Sequence, residues 1–396
     1  MKKLLSILAA AIIAASCTSH KEFFTQEIRQ NWVFKKASDK TWLPATVPGC
    51  VHTDLLDNKV IKDPFYRLRE DSVQWIENED WEYQATFGVC GCIMDMENME
   101  LVFEGLDTYA DVYLNDSLVL KADNMFIEHR ISCKKGIKAG ENKLRVYLHS
   151  PVTEQMKKLR TYGYLPKSAN ERMPDSLRTR VFTRKAPFHY GWDWGPRLVT
   201  SGIWRPVKLV AWNSARIDDM YLKPQKIDSS KADYIAQITV VAQEEVSASF
   251  EVKIDNTGEE TYFSQNLKEG INEISIPISI EKPELWWPNG LGSHMLYTVK
   301  ANMKIGHSVV HEISRTLGVR TIELVRQPDT IGTSFFFKVN GIPVFMKGAD
   351  YIPNDIFTTR VSDKINKRLI NDAVISNMNM FRLWGGAIYE LSLIHI

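Results

Sequence analysis

Between residues 81 and 89 the chain alternates strictly, with Trp81, Tyr83, Ala85, Phe87 and Val89 separated by Glu82, Gln84, Thr86 and Gly88. A period of two places the apolar side chains on one face of an extended segment, so a half-buried strand is predicted. The alternation returns at Ala110, Val112 and Leu114, which end at Asn115-Asp116-Ser117, and at Leu144, Val146 and Leu148 after Gly140-Glu141-Asn142. Alternating runs separated by polar tips predict successive hairpins. Together they predict a β-sandwich of jelly-roll type over residues 22–212. A second block, residues 213–330, starts over with the same period. Ala248, Phe250, Val252 and Ile254 run into Asp255-Asn256-Thr257-Gly258, and Tyr297, Val299, Ala301, Met303 and Ile305 alternate later. The size of this block suits an immunoglobulin-like sandwich.

From residue 335 the pattern changes. Phe335-Phe336-Phe337 and a hairpin at Val339-Asn340-Gly341-Ile342 give way to Val344-Phe345-Met346, and then to a helical stretch. Ser362 stands at the expected N-cap with Asp363 in the first turn, and Ile365, Leu369, Ile370, Ala373 and Val374 fall on one face. A strand-like run, Met378 to Trp384, follows. This strand-helix-strand unit is the way a parallel α/β domain opens. A closed (β/α)8 barrel needs about 250 residues, whereas residues 335–396 number 62 (396 − 334), so the expectation is the truncated start of such a barrel.

The first seventeen residues read as a targeting segment. Lys2 and Lys3 precede an apolar run from Leu4 to Ala15, too short to span a bilayer, and Ala14-Ala15-Ser16-Cys17 follows. The small residues ahead of Cys17 resemble a bacterial lipoprotein box, with Ala14 where Leu is usual. On that resemblance Cys17 is the lipid-attachment residue, and the protein is exported to the periplasm or anchored to the outer membrane, simple secretion being the alternative. Charge adds an exclusion: 49 Lys and Arg against 48 Asp and Glu leave a net charge of +1, so no nucleic-acid partner is expected. Cys50, Cys90, Cys92 and Cys133 remain after the signal. Cys-x-Cys is a poor disulfide spacing and nothing nearby completes a metal site, so buried thiols, no metal and no cofactor are expected. Eleven Trp residues suit sugar-stacking clefts or, equally, large sandwich cores.

Several longer motifs then converge. Trp42 to Leu55, Asp63-Pro64-Phe65-Tyr66, Phe103 to Thr108, Phe188-His189-Tyr190-Gly191-Trp192-Asp193-Trp194-Gly195-Pro196-Arg197, Gly202 to Val207, Leu285-Trp286-Trp287-Pro288-Asn289-Gly290, Phe337 to Asp355 and Met380 to Gly386 occur in that order. In this set the chain resembles the family 2 glycoside hydrolases, and within them the β-mannosidases. Trp-Trp-Pro-Asn-Gly is shared widely in that family, whereas the Trp-Asp-Trp stretch and Lys347-Gly348-Ala349-Asp350-Tyr351-Ile352-Pro353 are more specific.

The resemblance implies a multidomain, mainly β fold: a jelly-roll sugar-binding-like sandwich, an immunoglobulin-like sandwich and the first two strands of the barrel, carried by Phe337 to Asp355 and Met380 to Gly386. It implies a retaining exo-β-mannosidase acting on the terminal β-mannose of an oligosaccharide or glycan. Such chemistry needs two carboxyl groups about 5 to 5.5 Å apart. In the family both are Glu on later barrel strands, so neither catalytic residue falls on this sequence, and Leu391 to Ile396 does not look like the family's continuation. Substrate contact carries over to Trp192 and Asp193; the alternative is that Trp192 and Trp194 pack at the sandwich edge while Asp193 caps a turn. The resemblance also gives Trp384 to the sugar pocket and Arg382 to orienting the nucleophile, against layer packing inside the barrel. Asp350 is divided between a pocket carboxylate and a structural hydrogen bond, and His189 reads as a satisfied structural histidine. Other functions weighed are another family 2 exo-glycosidase such as exo-β-glucosaminidase, and a non-catalytic carbohydrate-binding lipoprotein.

Overall fold

The computed structural model describes residues 22–162, 171 and 173–389; Cys17 and the rest of segment 1–17, and the tail 391–396, lie outside the described residues. Among the described residues no helix is long and apolar enough to cross a membrane.

The first sandwich packs two antiparallel sheets. One has six strands in the spatial order Leu43–Pro44, Val33–Lys36, Trp81–Val89, Gly140–His149, Tyr109–Leu114 and Ser117–Ala122. The other has four, Phe23–Glu27, Val207–Trp212, Asn98–Phe103 and His129–Ser132. Along Trp81–Val89 every apolar residue of the alternation is buried and every intervening one is not. Trp81, Tyr83 and Ala85 pair with Leu148, Val146 and Leu144, so two apolar rows share one face against Phe34, Leu101 and Phe103. Asn115 and Asp116 both have positive φ, 47° and 67°. That is the hairpin geometry whose twist matches the strands it joins. Gly140-Glu141-Asn142 differs from expectation, being the first three residues of its strand instead of a turn. Asn142 closes the preceding loop from inside the strand: its carboxamide accepts from Lys138 N–H at 2.9 Å and donates to the Lys138 carbonyl at 2.7 Å.

The second sandwich sets three strands, Ala215–Ile227, Lys231–Ala242 and Gly270–Glu281, against four, Glu260–Leu267, Val246–Ile254, Tyr297–Ile305 and Ser308–Leu317. Three against four antiparallel strands is the immunoglobulin-like arrangement. Ile238, Ile276, Phe250 and Val299 meet in its core. The Trp286-Trp287-Pro288-Asn289-Gly290 segment works as a latch: Asn289 Nδ2 donates to the Met378 carbonyl at 3.0 Å, and Asn340 Nδ2 donates to the Trp286 carbonyl at 3.0 Å.

The last segment holds the expected helix, Asp363–Ile375, between two parallel strands, Gly348–Tyr351 and Met380–Leu383. The hairpin expected at Asn340 and Gly341, whose φ values are 51° and 78°, joins Phe336–Val339 to Ile342–Val344 and pairs antiparallel with Ile322–Val325; within Phe337 to Asp355, Gly348–Tyr351 is the strand that enters the parallel pair. Ser362 has the extended N-cap backbone, yet its side chain makes no cap hydrogen bond. Of the predicted apolar face only Ala373 is buried, and Ile365 and Val374 are 42% and 44% exposed. Ile356 and Phe357, just after the first parallel strand, are buried in the core of the first sandwich. That contact sets the parallel unit against the sandwich.

Candidate functional site

The motif with two tryptophans around an aspartate is the tip of a hairpin-like loop. Leu198 N–H donates to the His189 carbonyl at 2.9 Å, Tyr190 and Arg197 form an antiparallel bridge, and Trp192 N–H donates to the Gly195 carbonyl at 3.1 Å. Asp193 and Trp194 therefore occupy the centre of a four-residue turn. Asp193 is exposed, and among the described residues its carboxylate makes no hydrogen bond or ion pair. It stands in the turn without capping it.

The indoles on either side converge on one residue of the second parallel strand's end. Trp192 lies edge-on to Trp384 with ring centroids 4.8 Å apart, and Trp194 does so at 5.9 Å. An extended segment would send Trp192 and Trp194 the same way and Asp193 the other, but a turn has no such alternation; here both rings meet Trp384, and Asp193 is exposed at the turn. The Arg180 guanidinium lies 4.9 Å from the Trp192 ring centroid. Trp384 is positioned by its own backbone, whose N–H donates to the Tyr351 carbonyl at 3.0 Å. Its indole folds back over Gly386, where a Cβ would come within 2.4 Å of the ring.

Among the described residues Arg382 makes its ion pair away from the indoles. It pairs with its register partner across the parallel strands, Nη1 standing 3.1 Å from Oδ1 of Asp350, and both side chains are more than half exposed.

The base of the loop is held by buried charge. Arg197 donates from Nε and Nη2 to Glu77, at 3.1 and 2.9 Å, and from Nη1 to the Tyr190 carbonyl at 3.3 Å, while Glu171 stands 3.6 Å from Nη1. Its own N–H donates to Glu70 at 2.6 Å. Burial raises the Glu77 pKa, and the Arg197 charge opposes that. Beside it, Lys185 Nζ donates to both carboxylate oxygens of Asp107 and, at 2.8 Å, to Thr200 Oγ1. Burial lowers the Lys185 pKa, with Asp107 acting the other way. His189 lies among these groups, fully buried, and burial together with the Lys185 charge keeps its pKa well below the ordinary histidine value. The expectation of a satisfied structural histidine fits this neighbourhood. Sequence reasoning assigned nothing to Asp107, Lys185, Glu77 or Arg197. Asp107 and Arg197 fall within two of the motifs, but no local signal shows the pairing, since the partners lie 78 and 120 residues apart in the chain.

Among the described residues no cluster of three or more His, Cys, Asp or Glu could hold a metal ion. The arrangement can grip a sugar ring: an open carboxylate accepts hydrogen bonds from hydroxyls, and indole faces cover the apolar C–H side of a pyranose.

Comparison with known proteins gives a consistent result. Residues 32–205 match the "Glycosyl hydrolase 2 galactose-binding domain-like" family, and residues 215–320 match "Glycosyl hydrolases family 2". The chain is 34% identical over 379 residues to Beta-mannosidase B of Aspergillus terreus, covering 93% of this chain and 43% of that protein. It is 33% identical to Beta-mannosidase of Bos taurus, covering 92% and 42%. The chain thus spans less than half the length of the curated relatives it matches. Among solved structures it resembles Beta-D-Mannosidase from Dictyoglomus thermophilum, with a TM-score of 0.88 and 37% identity over 94% of this chain and 45% of the other. An exo-chitosanase of Amycolatopsis orientalis shares the fold at a TM-score of 0.72 and 17% identity, over 92% and 41%.

Proposed function

Because the chain belongs to glycoside hydrolase family 2, we propose that it supplies the sugar-gripping part of a retaining exo-β-mannosidase, an enzyme that removes terminal β-mannose from oligosaccharides or glycans. The observation that carries the reading is the convergence of Trp192 and Trp194 on Trp384 beside the exposed Asp193, whose carboxylate has no partner among the described residues. The relatives named as β-mannosidases at 33–37% identity support the choice of sugar.

In this reading Asp193 accepts hydrogen bonds from the hydroxyls of the terminal mannose, and Trp192 and Trp384 cover its apolar face. The parallel strand pair is the opening of a (β/α)8 barrel, and the two catalytic glutamates, about 5 to 5.5 Å apart, stand on later strands of that barrel. Arg382, which pairs with Asp350 at 3.1 Å, in this reading donates to the nucleophile carboxylate and fixes its orientation. The segment 1–17 exports the protein, and Cys17 carries a lipid that anchors it to a membrane.

The test is turnover by the complete enzyme on an aryl β-mannoside and an aryl β-glucosaminide. Hydrolysis of the mannoside with retention is expected. Cleavage of only the glucosaminide, or binding of sugar with hydrolysis of neither, would reject the reading.

A further inference from the structure

His189 stands at the foot of the tip that carries Trp192, Asp193 and Trp194, and its ring spans two parts of the fold. Nε2 donates to the Ile356 carbonyl at 2.9 Å, and Nδ1 lies 3.2 Å from Thr200 Oγ1. The two neighbours belong to different elements. Thr200 sits in the first sandwich, where its hydroxyl is 2.6 Å from Asp107 and 2.8 Å from Lys185, an ion pair whose side chains are 2% and 0% exposed. Ile356 sits on the loop that leaves the first parallel strand.

We propose that His189 is a positioning residue for sugar binding: its ring is a strut seated on Thr200, and its Nε2–H bond to the Ile356 carbonyl holds the Trp192–Trp194 tip at its height against Trp384. The inference rests on the sugar-gripping role proposed above and adds a residue to it.

Three features favour a strut over simple packing. A second contact between tip and loop is apolar: a Cβ on Gly195 would come within 2.8 Å of Ile356 Cδ1. Such a contact limits how close the two parts come but leaves them free to slide, whereas a hydrogen bond is directional. The far end of the strut is anchored in a buried ion pair, which is costly to rearrange because either charge left alone in the interior is heavily penalised. The near end is short, since His189 also accepts the Leu198 N–H at 2.9 Å through its own carbonyl, which ties ring and hairpin together. A displacement of about 1 Å at a reacting centre can cost about 10²-fold in rate, so the height of the tip is worth fixing.

The test compares His189→Leu, which removes both ring nitrogens, with His189→Gln, whose amide N–H can still reach the Ile356 carbonyl. In the complete enzyme the Leu variant is expected to lose about 10²-fold in kcat on an aryl β-mannoside with KM changed by less than about threefold, and the Gln variant to recover most of the loss. In the present chain, hydrogen exchange at the Trp192 and Gly195 amides is expected to speed up in the Leu variant and to return towards the original rate with Gln, while exchange in residues 215–317 stays unchanged. A purely structural role would shift the unfolding temperature without the split between kcat and KM. Wild-type kcat in the Leu variant, or unchanged exchange at the tip, would overturn the proposal. Should the Leu variant not fold, His189→Asn, whose shorter amide stops short of the Ile356 carbonyl, is read by the same two measurements. If the complete enzyme cleaves no mannoside, the functional reading fails while the exchange experiment still decides the strut.

Discussion

Asp350 and Arg382 face each other across the two parallel strands, as register partners joined by a 3.1 Å ion pair that both side chains make near the surface. Parallel neighbours at one register position point to the same side, so this pair and the next residue on that side of the second strand, Trp384, line one edge. An exposed ion pair is worth about 0.2–1 kcal/mol, too little to explain its placement by stability. Asp350→Asn is therefore expected to change the urea-unfolding free energy of the chain by less than about 1 kcal/mol. Arg382→Lys in the complete enzyme is expected to lower kcat nearly as far as Arg382→Ala, because a point ammonium cannot reproduce the planar two-pronged donor. Full activity in the Lys variant would remove the orienting role from Arg382.

Asp193 separates function from stability more sharply. Its carboxylate is exposed and has no partner among the described residues. Substitution by Ala should leave the unfolding free energy within about 0.5 kcal/mol of the original. In the complete enzyme the same change removes a charged acceptor for sugar hydroxyls, worth about 1.5–3 kcal/mol, and turnover on mannosides is expected to fall at least about 10- to 100-fold. Unchanged turnover would show that the open carboxylate does not touch the sugar.

What could be read from the sequence follows the range of the interaction. The period-two runs announced both sandwiches because burial of one face leaves a local signature, as in Trp81–Val89. Resemblance singles out the Trp-Asp-Trp loop in the sequence, but not its shape. The sequence carries no sign that the hydrogen bond from Trp192 N–H to the Gly195 carbonyl closes a turn there. Gly140-Glu141-Asn142 has turn composition, yet pairing with Phe87, Gly88 and Val89 draws it into a strand. The supports beneath the site, Arg197 on Glu77 and Lys185 on Asp107, join positions that only the folded sandwich brings together, and single residues with no periodicity carry no such message.

Arg197 provides a test of those supports. Its guanidinium is 3% exposed and satisfies Glu77 with three hydrogen bonds while Glu171 stands close by. Arg197→Met keeps the apolar stem and removes the charge, leaving a buried carboxylate without its partner. The expected cost is about 3–5 kcal/mol in urea unfolding of the chain. Adding Glu77→Leu should recover part of that loss, since the uncompensated charge is then gone as well. Equal stabilities for the single and double variants would mean that Glu77 finds another partner or water.

The joint between the two sandwiches carries a titratable group whose sign can be worked out. His311 stacks on Phe23 with ring centroids 3.8 Å apart, and its Nδ1 accepts the Ile217 N–H at 2.9 Å, so the ring must stay unprotonated on that nitrogen. Burial, then the nearby Arg216 charge, lowers its pKa to about 4. The unfolded chain titrates near 6.5 and so binds more protons than the folded chain between these two values. Stability contributed by His311 is present above about pH 6.5 and is lost as pH falls towards about 4. His311→Asn keeps an acceptor for the Ile217 N–H and removes the titration. Its urea-unfolding free energy should fall less steeply than the original's between pH 6.5 and 4.5, by the uptake of up to about one proton, with the two proteins converging in slope above pH 7. Parallel curves across the acid range would show that His311 titrates alike in the folded and unfolded chains, and that its neutral form is not what the joint requires.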